Sequence, residues 1–113
     1  MTKATDFLGK TVDVIFDRSL GMRHPKHHYF YKVNYGYIPG TMSPDGEELD
    51  AYYLGTDKPL EKINGVCIAV IHRTNEDDDK LIIVPEGSSF SDEEIEKQIE
   101  FQEKYFKHII MRP

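Results

Sequence analysis

Thr11-Val12-Asp13-Val14-Ile15-Phe16 alternates along its length, with Val12, Val14 and Phe16 on one side and Asp13 and Ile15 on the other. A period of two is the pattern of a half-buried strand. The same reading extends outward from it. Leu49–Leu54, Val66–His72 and Leu81–Val84 are short runs of strand length, rich in β-branched and aromatic residues. His28–Tyr37, dense in Tyr and Phe, holds one or two more strand pieces. Ser19–His28, with Gly21 and Pro25, reads as a loop, and Pro39-Gly40 and Pro44-Asp45-Gly46 read as turns. The acidic segment Asn75–Asp79 has the length of a hairpin loop. The period then changes. Ser91-Asp92-Glu93-Glu94 is a capping box, and Ile95, Ile99, Gln102, Phe106 and Ile109 follow at helical spacing, which carries a helix to Ile109. The six acids from Asp92 to Glu103 read as the solvated outer face of that helix. Strands first and one helix last predict a mainly β chain with a C-terminal helix (α+β), a small barrel or curled sheet plugged by the helix. No linker or repeat interrupts residues 1–113, so one domain is expected.

The chain has 113 residues, 39% of them hydrophobic, enough for one real core. No apolar run approaches the ~20 residues that span a bilayer, and Met1–Asp6 lacks the apolar stretch of a signal peptide. Cys67 is the single cysteine, so neither an internal disulfide nor a Cys-based zinc site is available. Its place within an apolar run makes it a buried small hydrophobe. A cytoplasmic protein without a membrane partner is the expectation. The formal charge is −6 and unevenly spread. Residues 1–44 hold three acids and six bases, whereas residues 45–113 hold 17 acids and eight bases. That balance weighs against nucleic acid as a partner, because phosphate backbones require a basic face.

Two acidic clusters carry the chemistry, Asp45-Gly46-Glu47-Glu48-Leu49-Asp50 and Glu76-Asp77-Asp78-Asp79, the second followed by Lys80. If residues 47–50 are extended, Glu48 and Asp50 share one face, opposite Glu47 and Leu49, and a turn at Asp45-Gly46 could bring Asp45 round to Asp50. Converging carboxylates repel one another unless a cation lies between them. Oxygen donors without Cys or spaced His favour a hard ion, Mg²⁺, Mn²⁺ or Ca²⁺. The spacing is not that of an EF-hand, and a pair of solvated acidic turns is the plain alternative. Arg18, Arg23, Lys26 and Lys32 in the basic part suit the oxygens of a phosphate substrate that face away from a metal. His24-Pro25-Lys26-His27-His28 reads as an exposed loop rather than a preformed transition-metal site. Tyr29, Phe30, Tyr31 and Tyr35 could stack nucleic-acid bases, a reading that the acidic balance after residue 44 opposes.

Taken together, Asn34-Tyr35-Gly36-Tyr37-Ile38-Pro39-Gly40-Thr41, Asp45-Gly46-Glu47-Glu48-Leu49-Asp50-Ala51, Asp78-Asp79-Lys80-Leu81 and Val84-Pro85 resemble the family I soluble inorganic pyrophosphatases. The family pattern D-[SGDN]-D-[PE]-[LIVMF]-D-[LIVMGAC] is met from Asp45 to Ala51 except at Glu47, and the resemblance runs from about Val12 to Lys107. It implies a five-stranded OB-like β-barrel and Mg²⁺-dependent hydrolysis of pyrophosphate to two phosphates, with Mn²⁺ as the alternative ion. The resemblance puts Asp45, Asp50 and Asp78 on metal-binding positions. Asp17 takes the place of an early metal-site acid. Glu47 falls on the acid that activates the water, together with Asp50. Lys26, Tyr35, Lys80 and Lys107 fall on phosphate-binding positions, and a homo-oligomer is expected. The chain departs from the family pattern in several places. The Arg between the early Lys and Asn34 has no counterpart, and Phe106 stands where a late Tyr would donate to phosphate. The first metal-site Asp of the second cluster falls on Asn75 or is supplied by Asp77. Glu47 carries its carboxylate one methylene further out than Asp. These departures leave a non-catalytic or altered-specificity phosphate-binding module as the alternative reading.

Overall fold

The computed structural model describes residues 3–43, 46–76 and 78–113. Six strands, β1 (Thr11–Arg18), β2 (Asn34–Tyr37), β3 (Asp50–Tyr53), β4 (Lys62–Arg73), β5 (Asp78–Val84) and β6 (His108–Met111), accompany one helix, α1 (Asp92–Glu103). The alternation of Thr11–Phe16 reappears as alternating burial along β1. Antiparallel pairs β1–β2, β2–β3, β5–β4 and β4–β1, with a parallel β3–β5 pair, close five strands into an OB-like ring. β4 is long enough to serve two neighbours on one edge. Its first half pairs with β1, and its second half, from Val70 to Arg73, pairs with β6.

Closure depends on close backbone approach. At Gly36, opposite Phe16, a Cβ would collide with the carbonyl oxygen of Ile15. At Gly65 it would meet Val84 O at 2.8 Å and Ile83 Cγ2 at 2.7 Å. Both positions require glycine because the neighbouring strand lies where a side chain would go.

The ring has an apolar interior and an apolar outer wall. Val12, Val14, Phe16, Ala51, Tyr53, Leu81 and Ile83 pack inside it. Tyr52, Leu54, Ile71, Ile82 and Val84 point the other way, onto Ile95, Ile99 and Phe101 of α1. This is the period of two at work: neighbours along β3 and β5 go to opposite cores. Cys67 is fully buried, as its setting in the sequence predicts.

α1 begins with the expected capping box. Ser91 Oγ accepts from Glu94 N at 3.1 Å, and Glu94 Oε1 accepts from Ser91 N at 3.0 Å. Its end differs from the sequence reading. The helix stops at Glu103, and Ile109 lies in β6, because the β-branched pair Ile109-Ile110 completes the edge of β4 that β1 has left. Nor is Glu103 on a solvated face: it is fully buried.

His108 ties β6 to α1, with Nε2 at 2.8 Å from Glu96 Oε1. Burial pushes this imidazole toward neutrality. The hydrogen bonds to the Phe106 carbonyl and Glu96, with the charges of Glu96 and Glu103, outweigh that and raise its pKa above 6.5. A raised pKa means the folded state binds the proton more tightly than the unfolded state. The stability His108 contributes is therefore complete below pH 6.5 and lost as pH rises through the folded value. Urea midpoints of the wild type and His108→Gln, compared at pH 6 and pH 8.5, are expected to differ more at the lower pH.

Candidate active site

The alternation that builds the outer wall also assembles a polar group at one end of the ring. Asp50 shares the parity of Tyr52 on β3, Lys80 and Asp78 share that of Ile82 on β5, and Arg73 shares that of Ile71 on β4. Register does the rest: Asp50 lies opposite Lys80, and Arg73 opposite Asp78. Lys80 Nζ donates to Asp50 Oδ2 at 2.5 Å and to Asp78 Oδ2 at 2.9 Å, with the lysine side chain only 4% exposed. Tyr35, on β2 beside Tyr52, hydrogen-bonds Asp50. Burial first, and the Asp50 charge second, push its phenol well above the usual range, so it stays protonated.

Beside this group lies a second network. Arg73 forks onto Glu103, Nε to Oε1 at 3.0 Å and Nη2 to Oε2 at 2.7 Å, while Nη1 reaches Asp78 at 3.4 Å. The Tyr52 hydroxyl donates to Glu103 at 2.5 Å, the Gln102 amide donates to Tyr52 at 2.7 Å, and Tyr29 donates to Gln102 at 2.8 Å. The Phe106 ring lies 3.7 Å from the Arg73 guanidinium carbon. Burial opposes ionisation of Glu103, but the Arg73 and Tyr52 hydrogen bonds and the Arg73 charge win and lower its pKa. Burial likewise works against Arg73, and Glu103 more than offsets it. Glu103 therefore orients Arg73, and Arg73 reaches on to the acidic group.

Asp50 and Tyr35 form the floor of a cavity of about 860 Å³. Asp17, Arg18 and Lys26 also line it, as do His24, His27 and His28 of the loop after β1. A register shift between Phe16 and Arg18 leaves Asp17 as the extra residue and breaks the alternation where the strand meets the cavity. The loop is pinned rather than loose. The buried Asn34 side chain accepts from Leu20 N at 2.9 Å and Leu60 N at 3.0 Å and donates to Lys58 O at 2.9 Å. An isolated bridge joins Arg23 to Phe30. Burial, then the nearby charges of His27, Arg18 and Lys26, lower the pKa of His24.

The structure thus brings together Asp50, Asp78, Lys80 and Tyr35, with Asp17 and Lys26 on the same cavity. Glu47 is exposed on the turn before β3, its carbonyl accepting from Ser43 N at 2.7 Å. Lys107 is exposed and does not line the cavity. Asp45 and Asp77 lie outside the described residues. Sequence reasoning missed Arg73, Gln102 and Glu103 as site residues. Arg73 could have been suspected as a charge closing an apolar strand, but no local signal marks Glu103 among its acidic neighbours.

Among the described residues, no three His, Cys, Asp or Glu side chains lie together as a metal-holding group. The donor set at the floor still fits a hard divalent cation. Three carboxylates (Asp50, Asp78, Glu103) face two cations (Lys80, Arg73), and the surplus negative charge lies on the solvent-reaching side, where Asp50 is 35% exposed and Asp78 24%. Mg²⁺ commonly takes only one or two carboxylates, completing its shell with waters and substrate oxygens.

Comparison with known proteins gives the family. A family model for inorganic pyrophosphatase matches residues 10–111. The inorganic pyrophosphatase of Pseudomonas aeruginosa is 41% identical over 61 residues, 50% of this chain and 34% of that protein. The enzyme of Aeropyrum pernix is 35% identical over 61 residues, 50% of this chain and 35% of that protein. The chain thus aligns with about a third of the length of these curated relatives. Among solved structures, the inorganic pyrophosphatase of Ehrlichia chaffeensis superposes with TM-score 0.69 at 20% identity, over 89% of this chain and 84% of that one. That of Neisseria gonorrhoeae gives TM-score 0.63 at 26% identity, over 82% and 71%. No helix among the described residues is long and apolar enough to cross a membrane. Since the family match starts one residue before β1 and ends with the last residue of β6, it takes in the whole barrel and the helix that seals it, and the chain belongs to the inorganic pyrophosphatase family.

Proposed function

We propose that the chain hydrolyses pyrophosphate, or a closely related phosphorylated small molecule, with a divalent cation, Mg²⁺ or alternatively Mn²⁺. The observation that carries this reading is Asp50 at the floor of a cavity that Arg18, Lys26 and Arg73 also line, with Lys80 and Asp78 joined to Asp50 just beneath that floor. Acids below and cations above suit a metal–phosphate substrate. Asp50 and Asp78 would hold the cation, with Asp17, Asp45 and Asp77 the further acids assigned to it. When bound, such an ion lowers the pKa of the attacking water and polarises the phosphoryl oxygens. Glu47 is assigned to accept the water's proton, and Asp50 to orient the water. Tyr35, still protonated, donates to a phosphoryl oxygen. Lys26, with Lys80 released from one of its two carboxylates, neutralises the substrate, and Lys107, outside the cavity, is assigned to the same role by the family pattern alone. Arg18 and Arg73 supply the guanidinium chemistry that the shortened segment before Asn34 lacks. A homo-oligomer belongs to the same proposal.

The test is phosphate release from pyrophosphate by the purified chain with Mg²⁺ or Mn²⁺. Turnover that EDTA abolishes is expected, and no release above buffer with either ion would sink the proposal. One arrangement favours the second reading, a phosphate-binding module without turnover: Lys80 already pairs with both Asp50 and Asp78, and Arg73 is held by Glu103. Calorimetry that finds pyrophosphate bound but never cleaved would select it.

A further inference from the structure

The proposed reaction leaves much of the cavity unused. About 860 Å³ lies in the range of ~300–1,000 Å³ that encloses drug-sized ligands, far more than two phosphoryl groups fill. What lines the remainder is aromatic. Tyr35, at the floor beside Asp50, stacks on Tyr31 at 5.5 Å. Tyr31 meets Tyr29 edge-on at 6.0 Å. Tyr29 in turn stacks on Tyr105 at 5.9 Å and on His27 at 5.8 Å, the latter pair only 10° from parallel. The rings run without a break from the acidic floor to the mouth, where Tyr105 is 61% exposed. Tyr29 is further fixed by its hydrogen bond to Gln102, and the start of the loop that carries it by the bond from Leu20 N to Asn34. A large exposed aromatic at a cavity mouth is not accounted for by core packing. Lys104 Nζ also lies over the Tyr105 ring at 5.3 Å, an exposed cation–π contact of the weak kind that a stacking ring would replace.

Resting on the function proposed above, we infer that this site accepts a nucleoside diphosphate, its phosphoanhydride at the Asp50–Tyr35 floor and its base against the His27–Tyr29–Tyr105 wall. Arg18 and Lys26 lie on the same cavity and match the charge of the diphosphate. Stacking suits the base because every base presents a π-face. In the reaction, the water oxygen bonds to the terminal phosphorus, and the bond from that phosphorus to the bridging oxygen breaks. The bridging oxygen leaves on the nucleoside monophosphate with the bonding pair. The products are a nucleoside monophosphate, phosphate and one proton, which passes to solvent.

ADP is the probe. Calorimetry and phosphate release are measured with ADP and with pyrophosphate, in Mg²⁺, on the wild type, Tyr105→Ala, Tyr105→Phe and His27→Ala. The wild type should bind ADP more tightly than pyrophosphate and release AMP and phosphate from it. In Tyr105→Ala the ratio of the ADP Kd to the pyrophosphate Kd should rise about tenfold or more, with a smaller rise in His27→Ala. Tyr105→Phe, which keeps the ring, should retain the wild-type ratio. Because Tyr105 and His27 are exposed, the variants should stay folded. An unchanged ratio in Tyr105→Ala, or ADP that is never cleaved, overturns the inference. Pyrophosphate turnover without ADP binding overturns it while leaving the proposed function intact, whereas failure to bind either anion defeats both.

Discussion

Asp50→Asn should reduce pyrophosphate turnover by about 10³-fold, in the range found when a catalytic acid–base group is removed. Asn keeps the shape of Asp50 and its place opposite Lys80 on β5. It removes the charge that Lys80 Nζ meets at 2.5 Å and gives up one of the three described carboxylates assigned to the cation. The loss should appear in kcat and should not be recovered by raising Mg²⁺. If saturating Mg²⁺ restores the rate, Asp50 serves affinity for the ion alone and its assigned role in orienting the water is wrong. Steady-state phosphate release over a Mg²⁺ series decides this. A thermal melt on the same samples should differ little from wild type, because Asp50 is partly exposed and its loss leaves Lys80 still paired with Asp78 at 2.9 Å.

The largest effect on stability is expected for Glu103→Ala. The change strips Arg73 of both bonds of its fork and removes the acceptor of the Tyr52 hydroxyl. The Arg73 side chain is 8% exposed and that of Glu103 0%, so the guanidinium loses its buried partner and keeps only the longer contacts to Asp78 at 3.4 Å and Glu76 at 3.7 Å. Removing one partner of a buried pair costs about 3–5 kcal/mol. That is a large share of the ~5–15 kcal/mol by which domains are stable. At roughly 4–8 °C per kcal/mol for a domain near this size, the melting temperature should fall by more than about 10 °C. Arg73→Met combined with Glu103→Leu should recover most of the loss, since no charge is left unpaired. Urea unfolding of the wild type, the single variant and the double variant measures both. A double variant as unstable as the single one would show that the packing of α1, not the charge pair, holds this end together.

These two residues also mark where sequence reading succeeds and where it stops. Asp50 was legible because its signal is local: a carboxylate at a turn-to-strand junction, in a spacing shared with a known family. Glu103 carries no such signal. It is one of six acids in a dozen helical residues, and five of them behave as a solvated face should. What separates it is Arg73, thirty residues earlier in another element. The strand at the C-terminus was missed for a related reason. Phe106 and Ile109 keep helical spacing, but pairing with the free edge of β4 outweighs periodicity over one turn. The His-bearing loop reads correctly as exposed at His27 and His28, yet only its fold over the floor shows that it walls the cavity.

By itself, the sequence determined the alternating strands, the capped helix, the buried Cys67 and the two acidic clusters, because each is written in periods of two or 3.6 residues or in short spacings. Which carboxylates converge, which arginine they hold and how wide the cavity is were decided only when the ring closed. Those properties depend on register between distant strands and on the path of one loop, and neither is encoded in local spacing. Lys80 between Asp50 and Asp78 is the clearest instance. Three residues from two strands form one charged group because a parallel pairing sets Asp50 directly opposite Lys80.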